Sequence, residues 1–207
     1  MKLAGKSGTL LWLIFGLVWV LVIVGGMRVL LRYDTVSGAA GDPPGVWPVR
    51  SRIQRVTGLP TIVVMGHPKC PCTRATIGEL ALIMTRLHNQ VHGVVVFVRP
   101  QGTPDGWDDT DVRRSAAAIP DVTVMTDLDE TEADLFNAQV SGQTMLYDTS
   151  GRLLFSGGIT AWRGHSGDNA GRSSIISFVT EGSAQQNRTP VFGCALRTPK
   201  SSSGERL

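Results

Sequence analysis

The sequence predicts an α/β fold with a mixed central sheet, preceded by one N-terminal transmembrane helix. Three observations carry the prediction. There are 21 consecutive uncharged residues between Lys6 and Arg28, five short apolar runs interleaved with helical segments, and two of only three cysteines at the turn from the first run into a helix. A chain of 207 residues suits one domain of ordinary size plus appendages.

The N-terminal element comes first. From Leu10 to Val24 the chain is Leu, Val and Ile with Trp12, Phe15, Gly16 and Trp19 among them. A membrane span needs ~20 such residues, so the segment is long enough to cross. A cleaved signal peptide would have an apolar region of only ~7–15 residues, ending at a small-x-small site. Val24-Gly25-Gly26 is a poor version of that site, and Ala39-Ala40 lies too far beyond the apolar run. An uncleaved anchor at residues 9–31 follows, with residues 1–8 in the cytoplasm. The rest of the chain is then exported across the inner or cytoplasmic membrane to the periplasm or cell exterior. Lys2, Lys6 and the amino terminus permit this orientation, with Arg28 and Arg32 on the opposite flank.

The net charge of +3 belongs to the anchor region: without Lys2, Lys6, Arg28 and Arg32, 16 basic residues face 17 acidic ones. No polyanion-binding surface is indicated, so nucleic acid is not an expected partner. Three cysteines cannot close a disulfide framework, and a small odd number in an exported domain reads better as a working thiol site.

Residues 32–47 read as a linker, since Ser37-Gly-Ala-Ala-Gly-Asp-Pro-Pro-Gly45 has no periodicity and several breakers. The domain then spans 48–181, and 182–207 form a flexible C-terminal tail. Within the domain, strands are predicted at Thr61–Met65, Val94–Val98, Val122–Thr126, Gln143–Tyr147 and Arg152–Ser156. The last two form a hairpin about Asp148-Thr-Ser-Gly151. Ile77, Leu80, Ala81, Met84, Leu87 and Val91 recur at helical spacing, which predicts a helix from Pro71 to about Val91. Pro71 suits a first helical turn, where its missing N–H costs nothing. Further helices are predicted over Thr110–Ile119, Glu130–Gln139 and Ala170–Val179. Helix crossovers make the first strands parallel, with their carboxyl ends at one sheet edge. If 143–147 runs antiparallel to them, the cysteine turn, the Ser141-Gly142 loop and the Gly157–Asn169 loop converge at that edge, where α/β sheets form their sites.

Chemistry concentrates in His67-Pro-Lys-Cys-Pro-Cys-Thr-Arg74. A thiol at a helix N-terminus meets the positive end of the macrodipole and unpaired N–H groups, which favour thiolate. A free-cysteine pKa near ~8.5 can fall by several units there. Cys70, at the cap position before Pro71, is the candidate nucleophile and Cys72 its resolving partner. Residues two apart in a helix point ~200° apart, so a Cys70–Cys72 bridge needs a non-helical turn and would be a labile one. The alternative is a pair of buried packing thiols. His67 can stabilise thiolate, bind metal or only shape the turn with Pro68. His165, in a loop expected at the same edge, can join a metal site or be a solvated loop residue. Lys69 and Arg74 can favour thiolate or stay solvated. Cys194 stands in an apolar island, Thr189-Pro-Val-Phe-Gly-Cys-Ala-Leu196, where it can resolve Cys70, supply a third metal ligand or belong to a docking segment. Asp168 or Asn169 caps the last helix. Arg163 and Arg172 bind an anion or pair structurally, and Trp107 and Trp162 read as packing residues.

The order of elements and the turn cysteines resemble the thioredoxin-like superfamily, a three-layer fold. The extra strand–helix pair at 122–139 is similar to the TlpA and peroxiredoxin branches. His67–Ala75, Gly151–Thr160 and Arg163–Arg172 resemble the bacterial RedB-type proteins, over residues 45–181. Two departures stand out. Standard thioredoxins separate their cysteines by two residues, whereas Pro71 alone intervenes here. Their cis-proline before the third core strand is replaced by Val140-Ser-Gly-Gln143. In the family that proline helps dock substrate backbones and keeps metals from the thiols.

Two function classes follow. The first is a membrane-anchored thiol–disulfide oxidoreductase acting on exported protein thiols or disulfides, with no cofactor. The second is a non-enzymatic copper-binding or copper-delivery protein that uses Cys70, Cys72 and His67, thiolates favouring Cu(I). A peroxidase is a third class, but His67 occupies the position where the peroxiredoxin pattern carries threonine.

Overall fold

Strand β1 (Thr61–Gly66) is buried along its whole length, which suits a central strand covered on both faces. The structure, a computed structural model, describes residues 4–196. In it β1 pairs in parallel with β2 (His92–Arg99), and β2 in parallel with β3 (Val122–Leu128). On its other side β1 pairs antiparallel with β4 (Gln143–Tyr147), which forms a hairpin with β5 (Leu153–Gly157). The strand order is β3-β2-β1-β4-β5. This is the expected mixed sheet, and it puts the end of β1 beside the start of β4.

The alternation of side chains along β1 explains the layers. Ile62 and Val64 join a core built with α2 (Pro71–Arg86), α3 (Asp111–Ala117) and α5 (Ala170–Glu181). Val63 and Met65 join the opposite core, closed by Ala133 of α4 (Thr131–Leu135), Phe136, Ile53 and Leu196, with Trp47 packed against it. The fold is therefore thioredoxin-like, with the sheet between two covering layers.

Several boundaries differ from the expected ones. Helix α2 stops at Arg86, and Asn89 takes a left-handed φ of 61°. Leu87 and Val91 stay buried, so the apolar spacing continues as a core contact after the helix has ended. Helix α4 is five residues long, and Asn137 at φ 48° separates it from Ala138. The 32–47 segment, read as a linker, is held to the domain from Gly38 onward. Gly38 donates to Val191 O at 2.8 Å, Tyr147 donates its hydroxyl to Pro44 O, and the Trp47 ring meets Phe136 and Tyr147 edge-on.

The segment assigned to a flexible tail is also packed as far as the structure describes it. Ser156 N–H bonds Asn187 O, the Thr189 hydroxyl bonds Gly158 O, and Val191, Phe192 and Leu196 are buried. Leu196 joins the core on the α4 face. Residues 187–196 are a strap rather than a loose end.

Helix α1 (Ala4–Thr35) is a unit of its own. Its Gly8–Thr35 portion is long and apolar enough to cross a membrane, and none of that stretch is buried. Twenty-eight residues rise about 42 Å at ~1.5 Å each, more than the ~30 Å of a bilayer core.

Candidate active site

The sulfur of Cys70 sits where β1 hands over to α2. Beyond Gly66 the chain makes a tight turn in which Cys70 N–H bonds His67 O at 3.1 Å. Cys70 is the N-cap residue of α2, in extended conformation, and Pro71 follows in the first helical turn. No side-chain oxygen caps this helix. Its first N–H groups thus lack the usual acceptor and face the Cys70 sulfur instead.

The strap brings the third cysteine to the same place. Its backbone pairs antiparallel with the loop before β4. Ser141 N–H bonds Cys194 O at 2.8 Å, Leu196 N–H bonds Gln139 O at 2.9 Å, and Val140 lies opposite Ala195. Arg163 Nη1 donates to Gly193 O at 2.8 Å. The approach is close enough to require glycine at 193, because a Cβ there would lie 1.8 Å from Ser141 O. The result is a Cys70 Sγ to Cys194 Sγ separation of 2.9 Å, longer than the ~2.05 Å of a disulfide, and all three cysteines are free. Cys70 and Cys72 are buried and Cys194 is exposed. Beside Cys70 a cleft of about 360 Å³ runs past Pro71 and Arg74 to the start of α3.

The three thiols are electrostatically unequal. Burial pushes the Cys70 thiol up, but it is outweighed by the Cys194 S–H and by the backbone N–H groups of Cys194, Thr73 and Cys72, so its pKa is lowered. With Cys70 ionised, the Cys194 S–H is the donor of the sulfur–sulfur hydrogen bond. Burial, then the charge of Cys70 and a side-chain hydrogen bond to it, raise Cys72, with Arg163 and Gly164 N–H opposing. Burial and the Cys70 contact push Cys194 up to about 12. Cys70 is thus the most readily ionised of the three, and thiol–disulfide exchange proceeds through the thiolate.

A closed hydrogen-bond ring ties the cysteine turn to the loop before β4. His67 N–H donates to Ser141 Oγ at 2.9 Å, and the Thr73 hydroxyl donates to His67 O at 2.9 Å. The 2.7 Å contact between the Ser141 and Thr73 hydroxyls is then donated by Ser141. Gly142, at φ +90°, donates to Met65 O at 2.7 Å and turns the chain into β4. On the far side, buried Glu79 of α2 holds the 157–169 loop. It accepts from Gly167 N–H and Asn169 Nδ2, and it pairs with Arg172 at 2.5 Å.

The residues expected at the site separate into two groups. Cys70, Cys72 and Cys194 come together, with Arg163 beside them. The others are engaged elsewhere. The His67 ring stands edge-on to Trp107 at 5.4 Å, and its Nδ1 accepts from Lys69 N–H. Burial and then Lys69 lower its pKa, so it is a neutral ring and not a cation beside a thiolate. Lys69 Nζ lies 4.3 Å over the Trp107 ring, and Arg74 pairs with Asp111. The His165 ring lies against Trp162, its Nδ1 near Arg163 O. Arg172 is a structural partner of Glu79, and Asn169 caps α5 through Arg172 N–H. Asp108, read as part of a solvated acidic run, is buried and bound by Arg113 and Thr126. Among the described residues no group of three or more His, Cys, Asp or Glu is placed to hold a metal ion.

Three site residues were not singled out from sequence: Thr73, Glu79 and Gly193. Glu79 carried a signal, a lone acid between the apolar positions Ile77 and Leu80. Thr73 and Gly193 carried none, because their partners lie 68 and 52 residues away in the chain, at Ser141.

No protein-family model and no curated protein matches this chain. Among solved structures, it is similar to an uncharacterized conserved protein from Geobacillus kaustophilus at 15% identity, covering 81% of this chain and 95% of that one, with a TM-score of 0.59. A hypothetical protein from Sinorhizobium meliloti 1021 is similar at 17% identity, over 79% and 96% of the two chains, with a TM-score of 0.57. At these identities the likeness concerns the fold alone. A secreted disulfide oxidoreductase from Mycobacterium tuberculosis, 15% identical over 60% and 83%, superposes at a TM-score of 0.41, too loosely to bear on function.

Proposed function

We propose that the protein is a membrane-anchored thiol–disulfide oxidoreductase that acts on exported protein thiols or disulfides through the Cys70-Pro71-Cys72 turn. The observation that supports this reading is the Cys70 sulfur at the uncapped N-terminus of α2 with the Cys194 sulfur 2.9 Å away, a setting that lowers the Cys70 pKa and raises those of Cys72 and Cys194. The Cys70 thiolate attacks one sulfur of a partner disulfide and expels the other as thiolate. A second thiol of the chain then displaces the partner from the mixed disulfide and leaves an intramolecular disulfide. The partner gains two electrons and the chain loses two. In reverse, the oxidised chain oxidises a partner dithiol.

The test uses the purified full chain in detergent. Reduction of disulfide-bonded insulin with dithiothreitol as terminal reductant is expected to be accelerated, and Cys70→Ser is expected to abolish the acceleration. Absence of turnover, together with Cys70 alkylating only above the ordinary thiol range, would overturn the reading.

The copper reading retains its soft sulfur donors in Cys70 and Cys72. It lacks the expected imidazole, since His67 faces Trp107. Stoichiometric Cu(I) uptake by the reduced protein, dependent on both turn cysteines and without disulfide turnover, would put it first.

A further inference from the structure

We infer that Cys194, and not Cys72, is the resolving cysteine: the strap carries it onto Cys70, and the catalytic disulfide links two residues 124 positions apart. The inference rests on Cys70 being the exchange nucleophile and adds the identity of its partner.

Geometry favours this pair. The two sulfurs are 2.9 Å apart, so less than about 1 Å of approach makes a bond. Cys72, in the first turn of α2, also contacts the Cys70 sulfur, but a bridge to it closes a small ring across Pro71 alone, whereas Cys194 arrives on a separate segment. Cys194 is held by backbone pairing to residues 139–141 and by the Arg163 guanidinium on Gly193 O. These contacts fix the position of the sulfur without using its side chain. Gly193 is what permits the close pass over Ser141.

The chemistry switches itself on at the right step. In the reduced protein Cys194 is held towards its protonated form, by burial first, then by its hydrogen bond to Cys70 and by the Cys70 charge. When Cys70 enters a mixed disulfide, that charge is gone, while Arg163 remains to favour ionisation of Cys194. The Cys194 proton passes to the departing partner thiolate, and its sulfur attacks Cys70 Sγ. One sulfur–sulfur bond breaks and one forms: the mixed disulfide becomes Cys70–Cys194 plus a free partner thiol. The exposed Cys194 lies over the buried Cys70. An extended peptide that presents a cysteine to Cys70 must therefore displace the strap or arrive through the neighbouring cleft.

The reduced full chain in detergent is treated with oxidised glutathione, quenched in acid, alkylated and digested for peptide mass mapping. The expected product is a Cys70–Cys194 cross-link, also formed by Cys72→Ser. In Cys194→Ser the glutathione adduct on Cys70 is expected to persist, its resolution slowed by about 100-fold or more because the positioned thiol is lost. A Cys70–Cys72 cross-link in the wild-type chain, or a Cys194→Ser adduct that resolves at the wild-type rate, overturns the inference while leaving the oxidoreductase reading standing. A Cys70 that forms no adduct in any variant overturns the oxidoreductase reading, and the inference with it.

Discussion

At the scale of single residues, the site depends on how donors are distributed among three sulfurs. Cys70 receives N–H groups from Thr73, Cys72 and Cys194 and an S–H from Cys194, and these overcome the burial that would otherwise neutralise it. Removing the Cys194 thiol takes away its strongest favourable donor. The pH at which iodoacetamide half-saturates Cys70 is thus expected to rise in Cys194→Ala, which leaves no side-chain donor there, towards the ordinary thiol value. An unchanged midpoint would show that the backbone donors alone hold the thiolate. Ser141 acts on a different quantity. It accepts from His67 N–H and donates to Thr73, all inside the protein. Ser141→Ala leaves buried partners unmet and is expected to cost about 1–3 kcal/mol, read as a lower denaturant midpoint with the slope unchanged.

Among the elements, two tethers build the site around the cysteine turn. Glu79 ties α2 to the 157–169 loop, which carries Arg163. Glu79→Ala would leave Gly167 N–H without its acceptor and Arg172 with only the exposed Asp168 as a carboxylate partner. Loss of one partner of a buried pair typically costs about 3–5 kcal/mol, so this variant is expected to be the least stable of those considered, as thermal unfolding would reveal. The strap is the second tether. Gly193→Ala forces a Cβ into the Ser141 carbonyl and is expected to lift the strap without altering any thiol. Limited proteolysis should then cut between 187 and 196, and iodoacetamide should reach Cys70 faster than in the wild-type chain. Of these elements, the cysteine turn and the start of β4 were legible in sequence, because β-branched runs, Pro71 and the hairpin at 148–151 are local signals. The strap was not. Pro190, Val191 and Phe192 announced an apolar segment, but nothing local in a chain says which distant edge such a segment will cover. The direction of the His67 ring, left open between the thiols and the turn, was not legible either: it is set by Trp107, 40 residues on.

For the whole molecule, the helix apolar and long enough to cross a membrane and the three cysteines belong to different units, Met1–Val36 and Ser37–Leu207. The thiol cluster also gives the domain a pH-dependent stability whose sign can be worked out. Cys70 has a depressed pKa in the fold, so its contribution is present above its ordinary value of 9.0 and is lost as pH falls through the folded value. Cys72 and Cys194 are raised. Their contribution is present below 9.0 and lost as pH climbs, for Cys194 towards about 12. The two trends oppose each other and cross near the ordinary thiol value. The difference in unfolding midpoint between the reduced wild-type chain and a variant with all three cysteines replaced by serine should therefore rise from neutral pH to about 9 and fall beyond it. In the oxidised protein a Cys70–Cys194 bond removes two of the three ionising groups, and only the descending limb from Cys72 should survive. A reduced-state difference curve that is flat between neutral pH and 9 would mean that Cys70 is not a stabilised thiolate in the folded domain.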